Sequence, residues 1–228
     1  KLWPLDPPSA DTTNAVADDD AAARLGQFLF FDQRLSASGE FSCATCHQPE
    51  FGFGDPAGVS QAAGTTDRHS PPVLNTAYNN WFYWDGRADT HWAQALAPIE
   101  DDTEQDTTRL DVAHLLASDP DLSEAYGDVF GELPDLSDTV RFPQSGRPID
   151  SDPDHPEHIA WTGMTDEDRH TVNVVFTNVG KAIAAYERRL IRADSAFDTF
   201  AEAIATGQGD RFAISDSAKR GLRLFLGE

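Results

Sequence analysis

Cys43-Ala44-Thr45-Cys46-His47 constrains this chain more than any other segment, because it dictates what the core must be built around. Two thiols stand three residues apart, and an imidazole follows at once. Each thiol can add to one vinyl group of a haem, and the adjacent imidazole can then become the proximal ligand of its iron. These are the only two cysteines in the chain. A zinc site needs four ligands and usually a second pair, which is absent. A redox CxxC normally opens a helix in a βαβ unit, and no such pattern surrounds this one. The pentad therefore reads as a c-type haem site, with Cys43 and Cys46 as attachment points and His47 as iron ligand.

At 228 residues the chain can form one large domain or one and a half ordinary ones, and its 39% apolar content suffices for a core around a haem. No apolar run is long enough to span a bilayer. The chain opens at Lys1 with no visible signal peptide, as a processed protein would. Covalent haem attachment takes place outside the cytoplasmic membrane, so an exported, periplasmic protein is expected. A net charge of −22 argues against a nucleic-acid partner, which would need a basic face. Lysine occurs only at 1, 181 and 219, whereas acidic residues recur along the whole length. That spread reads as a solvated acidic surface rather than a concentrated docking field for a cationic partner.

The pattern is mostly helix and long loop, with no strand pattern and no repeat. Residues 1–17 read as extended. Asp18–Asp20 can cap a helix with Ala21, Leu25, Phe28 and Leu29 on one face. Residues 48–72, rich in Gly, Pro and Ser, read as a loop folded over the haem. Residues 107–118 read as a helix stopped by Asp119-Pro120. Residues 141–162 hold four prolines and read as a linker or crossing loop. Thr165 can cap a long helix carrying Val172, Val175, Phe176, Val179, Ile183, Tyr186 and Leu190. A last helix starts near Ser215, with Ala218, Leu222 and Phe225 on one face.

Several blocks, in order, resemble the bacterial di-haem cytochrome c peroxidases, and within them the MauG-like branch. They are Leu25–Asp32 with Arg34-Leu35-Ser36, then Phe41–His47, Ser70–Asn75 and Trp84–Ala88. Gln94–Pro98 with Glu104, Ala184–Arg188 and Phe197-Asp198 follow. The resemblance implies a mostly α fold: a cytochrome c-like haem domain with long loops over residues 1–160. Residues 161–228 would then be the first helices of a second, truncated cytochrome c-like domain. It also implies that His47 holds the iron and that Glu104 acts as general acid/base for hydrogen peroxide. Pro98 would be an apolar lid that leaves the sixth position open, Gln94 a hydrogen-bonding neighbour, and Trp84 an electron relay between two haems. The implied activity is a peroxidase-type oxidoreductase working through high-valent iron. Its electrons would come from a cytochrome c or cupredoxin, or from a protein substrate that is thereby modified. The family pattern leaves room for a homodimer.

Three departures qualify the resemblance. No second CxxCH is present, although residues 217–225 are similar to the helix that leads into it. The chain is thus expected to be the front part of a longer protein, with the second haem and some calcium ligands beyond it. His69 stands where many members have a calcium-binding asparagine, and imidazole suits calcium poorly, so calcium there is in doubt. His69 could instead ligate the haem. No histidine lies in residues 59–67, where classical members carry a blocking ligand, and this favours the MauG-like branch. His91, His114, His155, His158 and His170 read as surface residues and Met164 as packing. Trp84 reads as a core aromatic beside Trp81, Phe82 and Tyr83, whatever its further role. Against the enzyme stand two alternatives, a mono-haem electron carrier and a sensor or scaffold with a vestigial haem. The carrier does not account for Gln94, Pro98 and Glu104.

Overall fold

The computed structural model describes residues 5–227. Nine helices form among them, with three isolated antiparallel bridges and no extended strand, so the mostly α expectation holds. Helix α1 (Asp20–Phe31) starts where the Asp19 carboxylate accepts the Ala22 N–H. Its buried stripe is Ala22, Leu25, Gly26, Leu29 and Phe30. Phe28, expected inside, is 67% exposed. The stripe is rotated because Gly26, not a large side chain, meets the neighbouring helix.

The single turn α2 (Cys43–Cys46) follows, then α3 (His91–Glu100) and α4 (Arg109–Ser118), the last capped by Thr108. Asp119-Pro120 ends α4 as expected but also opens α5 (Pro120–Phe130), which the sequence reading missed. Proline at the first helical position gives up only an N–H that has no helical partner there. The expected linker at 141–162 contains the start of α6 (Pro156–Gly163), which buries Trp161. Thr165 caps α7 (Asp166–Glu187), the longest helix. Helices α8 (Ala196–Thr206) and α9 (Asp216–Leu226) follow, capped by Ser195 and Ser215.

The described chain divides into two compact units, one of residues 10–190 and one of residues 5–9 with 191–227. The expected break after residue 160 is not where packing divides the chain. Trp161, Val172, Val175, Val179 and Ile183 share one core with Leu25, Leu29, Phe30, Leu110 and Leu116. Each such side chain, fully buried, contributes roughly 1.5–3 kcal/mol. Two glycines set the spacing of this core. A Cβ on Gly26 would lie 1.8 Å from the Ala182 carbonyl oxygen, and one on Gly180 would lie 2.6 Å from the Trp92 carbonyl oxygen. Helices α1 and α3 therefore approach α7 backbone to backbone, which only glycine permits.

In the smaller unit α8 buries Ala201 and Ala203. No residue of α9 is buried, and Leu224 and Phe225 are 79% and 87% exposed. The expected apolar face of α9 is thus present in sequence but uncovered among the described residues.

Candidate functional site

Helix α2 carries the pentad. Its turn is fixed by the Ser42 N–H, which donates to Thr45 Oγ1 at 2.9 Å, and by the His47 N–H, which donates to the Cys43 carbonyl at 2.9 Å. The imidazole of His47 lies near Phe30, ring centroids 6.4 Å apart, and Phe30 in turn packs on Phe53 and Tyr186. His47 Nδ1 is 3.2 Å from the Phe53 carbonyl oxygen. A carbonyl only accepts, so this contact is made by the tautomer with the hydrogen on Nδ1, the form whose Nε2 lone pair is available to a metal. Burial pushes the His47 pKa down, keeping the ring neutral as a metal ligand requires. Burial also pushes the Cys43 thiol up to about 12 and raises Cys46. Both thiols are free of disulfide bonding.

The facing wall comes from α3 and the loop after it. Gln94 and Pro98 stand one turn apart on α3. Proline has no N–H, so the Gln94 carbonyl four residues back lacks its helical donor. The Tyr83 hydroxyl donates to that carbonyl instead, at 3.2 Å. Burial raises the Tyr83 pKa to about 12, so it stays a donor. Glu104 lies in the loop that follows, which is pinned from several sides. The Ala63 N–H donates to the Glu104 carbonyl at 3.1 Å, and the Gln105 N–H donates to the Pro98 carbonyl at 3.1 Å. Arg147, itself buried, donates to the carbonyls of Glu100 and Thr107 and to Asp106, and its Nε reaches Glu157 at 2.8 Å. Both ends of the Glu104 loop are thereby held by one side chain. Burial, reinforced by the Asp101 charge and opposed by Arg87, raises the Glu104 pKa from 4.5 to about 7.

Trp84 sits on the rim. It is 62% exposed, and its indole N–H donates to the His69 carbonyl at 2.7 Å. The expectation of a core aromatic fails for Trp84 and for Trp81, which is 65% exposed; only Phe82 of that run is buried. Tyr83, between Phe82 and Trp84, has a left-handed φ of +66.

His47, Trp84, Gln94, Pro98 and Glu104 line one cavity of about 560 Å³, and Cys43 and Cys46 line an adjoining crevice with His47, Gln94, Pro98 and Glu104. The structure thus brings together every residue singled out from sequence. Their donor set fits a covalently held haem: two thiols and a neutral imidazole open on the same space. Gln105 Oε1, on the crevice wall, is buried without a hydrogen-bond partner. Its Nε2 lies 4.0 Å from Cys43 Sγ, so the amide faces the position a thioether would take. Among the described residues no three His, Cys, Asp or Glu side chains gather as a separate metal cluster.

The sequence reading missed two wall residues. His91, expected on the surface, is 5% exposed and pairs with Glu187 at 2.5 Å. Helical spacing could have found it, since positions 91, 94 and 98 share a face of α3. The other histidines serve locally: His155 caps α6, His158 Nδ1 accepts the Ile149 N–H, and His114 Nε2 lies 3.1 Å from the Pro143 carbonyl. Met164 packs in the core, and His69 Nδ1 is 2.8 Å from the Ala57 carbonyl.

A family model described as di-haem cytochrome c peroxidase matches residues 20–206. The chain belongs to the di-haem cytochrome c peroxidase family. It is 35% identical over 208 residues to the methylamine utilization protein MauG of Methylorubrum extorquens, covering 90% of this chain and 46% of that protein. It is 32% identical over 206 residues to the cytochrome c551 peroxidase of Pseudomonas aeruginosa, covering 89% and 46%. Its fold resembles the diheme peroxidase BthA from Burkholderia thailandensis, with TM-score 0.66, 22% identity, and 97% and 49% coverage. A MauG-like protein associated with microbial copper homeostasis gives TM-score 0.64 at 20% identity, with 97% and 52% coverage. The chain spans about half the length of these relatives.

Proposed function

We propose that this chain forms the peroxide-reducing half of a haem c oxidoreductase, with the haem attached to Cys43 and Cys46 and its iron held by His47. The observation that carries the reading is Glu104, poised near pH 7 on the wall that faces His47. The haem would supply the electrons and the Lewis-acid centre for cleavage of the O–O bond. The overall change takes hydrogen peroxide, two electrons and two protons to two waters. Glu104 takes the proton from the near oxygen and returns it to the leaving oxygen, which a carboxyl near half-ionisation can do in both directions. Pro98 presents only carbon to the cavity and keeps the space beside Glu104 free for peroxide. Gln94 offers an amide for orienting it. Trp84, exposed at the rim, is the proposed point of electron entry. The donor is a small redox protein or, as we favour from the MauG-like features, side chains of a protein substrate. No helix among the described residues is long and apolar enough to cross a membrane, which accords with the proposed export to the periplasm. Helices α8 and α9 we assign to the opening of a second haem domain.

The test is the pyridine haemochrome content of the chain, followed by its spectrum with and without hydrogen peroxide. High-spin ferric haem that consumes peroxide supports the reading. Low-spin iron inert to peroxide would instead mark an electron carrier. Met164, a natural second ligand for a carrier, lies in the core and not on the cavity wall.

A further inference from the structure

Helices α3 and α7 bring together a second pair of titratable side chains, which the proposed proton transfer leaves unused. His91 Nε2 is 2.5 Å from a Glu187 carboxylate oxygen, and the two side chains are 5% and 7% exposed. Phe82 stacks on the imidazole, centroids 4.8 Å apart at 15°, and Thr76 Oγ1 lies 3.3 Å from the same nitrogen. Burying a carboxylate is costly unless it is partnered, so this pair is held against a desolvation penalty.

The pair is placed asymmetrically. Both residues line the large cavity with His47, but only Glu187 also lines the crevice with Cys43, Cys46 and His47. The carboxylate is thus the end nearer the attachment turn, and the imidazole stands behind it. The Glu187 charge acts on both Cys43 and His47, second only to burial in each case. In a dry site a fixed negative charge favours whichever oxidation state carries more positive charge.

Resting on the haem placed at the pentad, we propose that Glu187, partly screened by His91, sets the reduction potential of that haem. Ferric iron carries one more positive charge than ferrous iron, so the carboxylate holds the potential down. His91 withdraws part of that charge and moderates the effect. The two residues therefore act with opposite sign, although they form one contact.

The experiment is a spectroelectrochemical titration of the haem-loaded chain at a single pH. Glu187→Gln is expected to raise the midpoint potential. His91→Phe keeps a ring against Phe82 but offers the carboxylate no hydrogen bond, and it is expected to lower the potential. Where Glu187→Gln does not fold, the neutral double variant His91→Gln/Glu187→Gln replaces it, with a potential expected above the parent. A pair that serves structure alone would move both single variants the same way or not at all, and either result overturns the inference. Opposite shifts in a protein that ignores peroxide would sink only the proposed function. A chain that carries no haem overturns both.

Discussion

Glu104→Gln separates the proton-transfer role from every structural use of this residue. The amide has nearly the volume of the carboxyl. The contacts that pin the loop run through backbone atoms and Arg147, so the loop is expected to persist. Loss of one general acid/base group costs about 10²–10⁴ in rate, or ~3–5 kcal/mol of barrier. The pH dependence carries a second signature. Peroxide must give up its proton to an ionised carboxylate. With a pKa of about 7, Glu104 is half ionised at pH 7 and about one part in a hundred at pH 5. The second-order rate of the haem-loaded chain with peroxide should climb about a hundredfold from pH 5 and level above pH 7. Stopped-flow absorbance of the haem measures it. In Glu104→Gln the limb should vanish and the rate fall to a low plateau. Stability should shift the other way. The native pKa is raised above 4.5, so ionisation opposes folding above pH 7, and the penalty fades as pH falls through that value. Glu104→Gln lacks it, and urea unfolding at pH 8 should find the variant more stable by up to ~3 kcal/mol. A variant that keeps the parent's rate and its pH limb refutes the assignment.

Other expectations follow from the packing. Gly26→Ala drives a methyl into the Ala182 carbonyl, and separating α1 from α7 should cost at least ~3 kcal/mol in denaturant unfolding. Cys43→Ser leaves one thiol for attachment, so the pyridine haemochrome band should shift to that of a haem with one remaining vinyl group. Arg147→Met removes three hydrogen bonds to the Glu104 loop and one to Glu157, and should cost ~2–3 kcal/mol, read as a lower urea midpoint at unchanged slope.

The site was more legible in the sequence than the packing was. Cys43, Cys46 and His47 are contiguous, and Gln94, Pro98 and Glu104 lie close together along the chain, so their convergence needs only one turn and one loop. The long helix α7 was plain because its apolar residues keep one period over 22 residues. What stayed hidden depends on contacts between distant segments. Phe28 looked like core until Gly26 took the interface with Ala182. Trp84 looked like core because neighbouring aromatics suggest burial, yet its indole lies on the rim, where its N–H donates to the His69 carbonyl. His91 looked like surface because its partner, Glu187, is 96 residues away and only the α3–α7 crossing joins them. Helix α6 was lost among prolines that serve as starts as well as stops.

Pro98 has one more consequence. By withholding an N–H from the Gln94 carbonyl it leaves a vacancy that Tyr83 fills from a different part of the chain. The two positions are thereby tied through one acceptor. A residue with an N–H at 98 would compete with the tyrosine for one acceptor, and phenylalanine at 83 would strand that acceptor in a proline helix. The substitutions open to either position depend on the other, and the turn that displays Trp84 is coupled to the proline in the helix beside it.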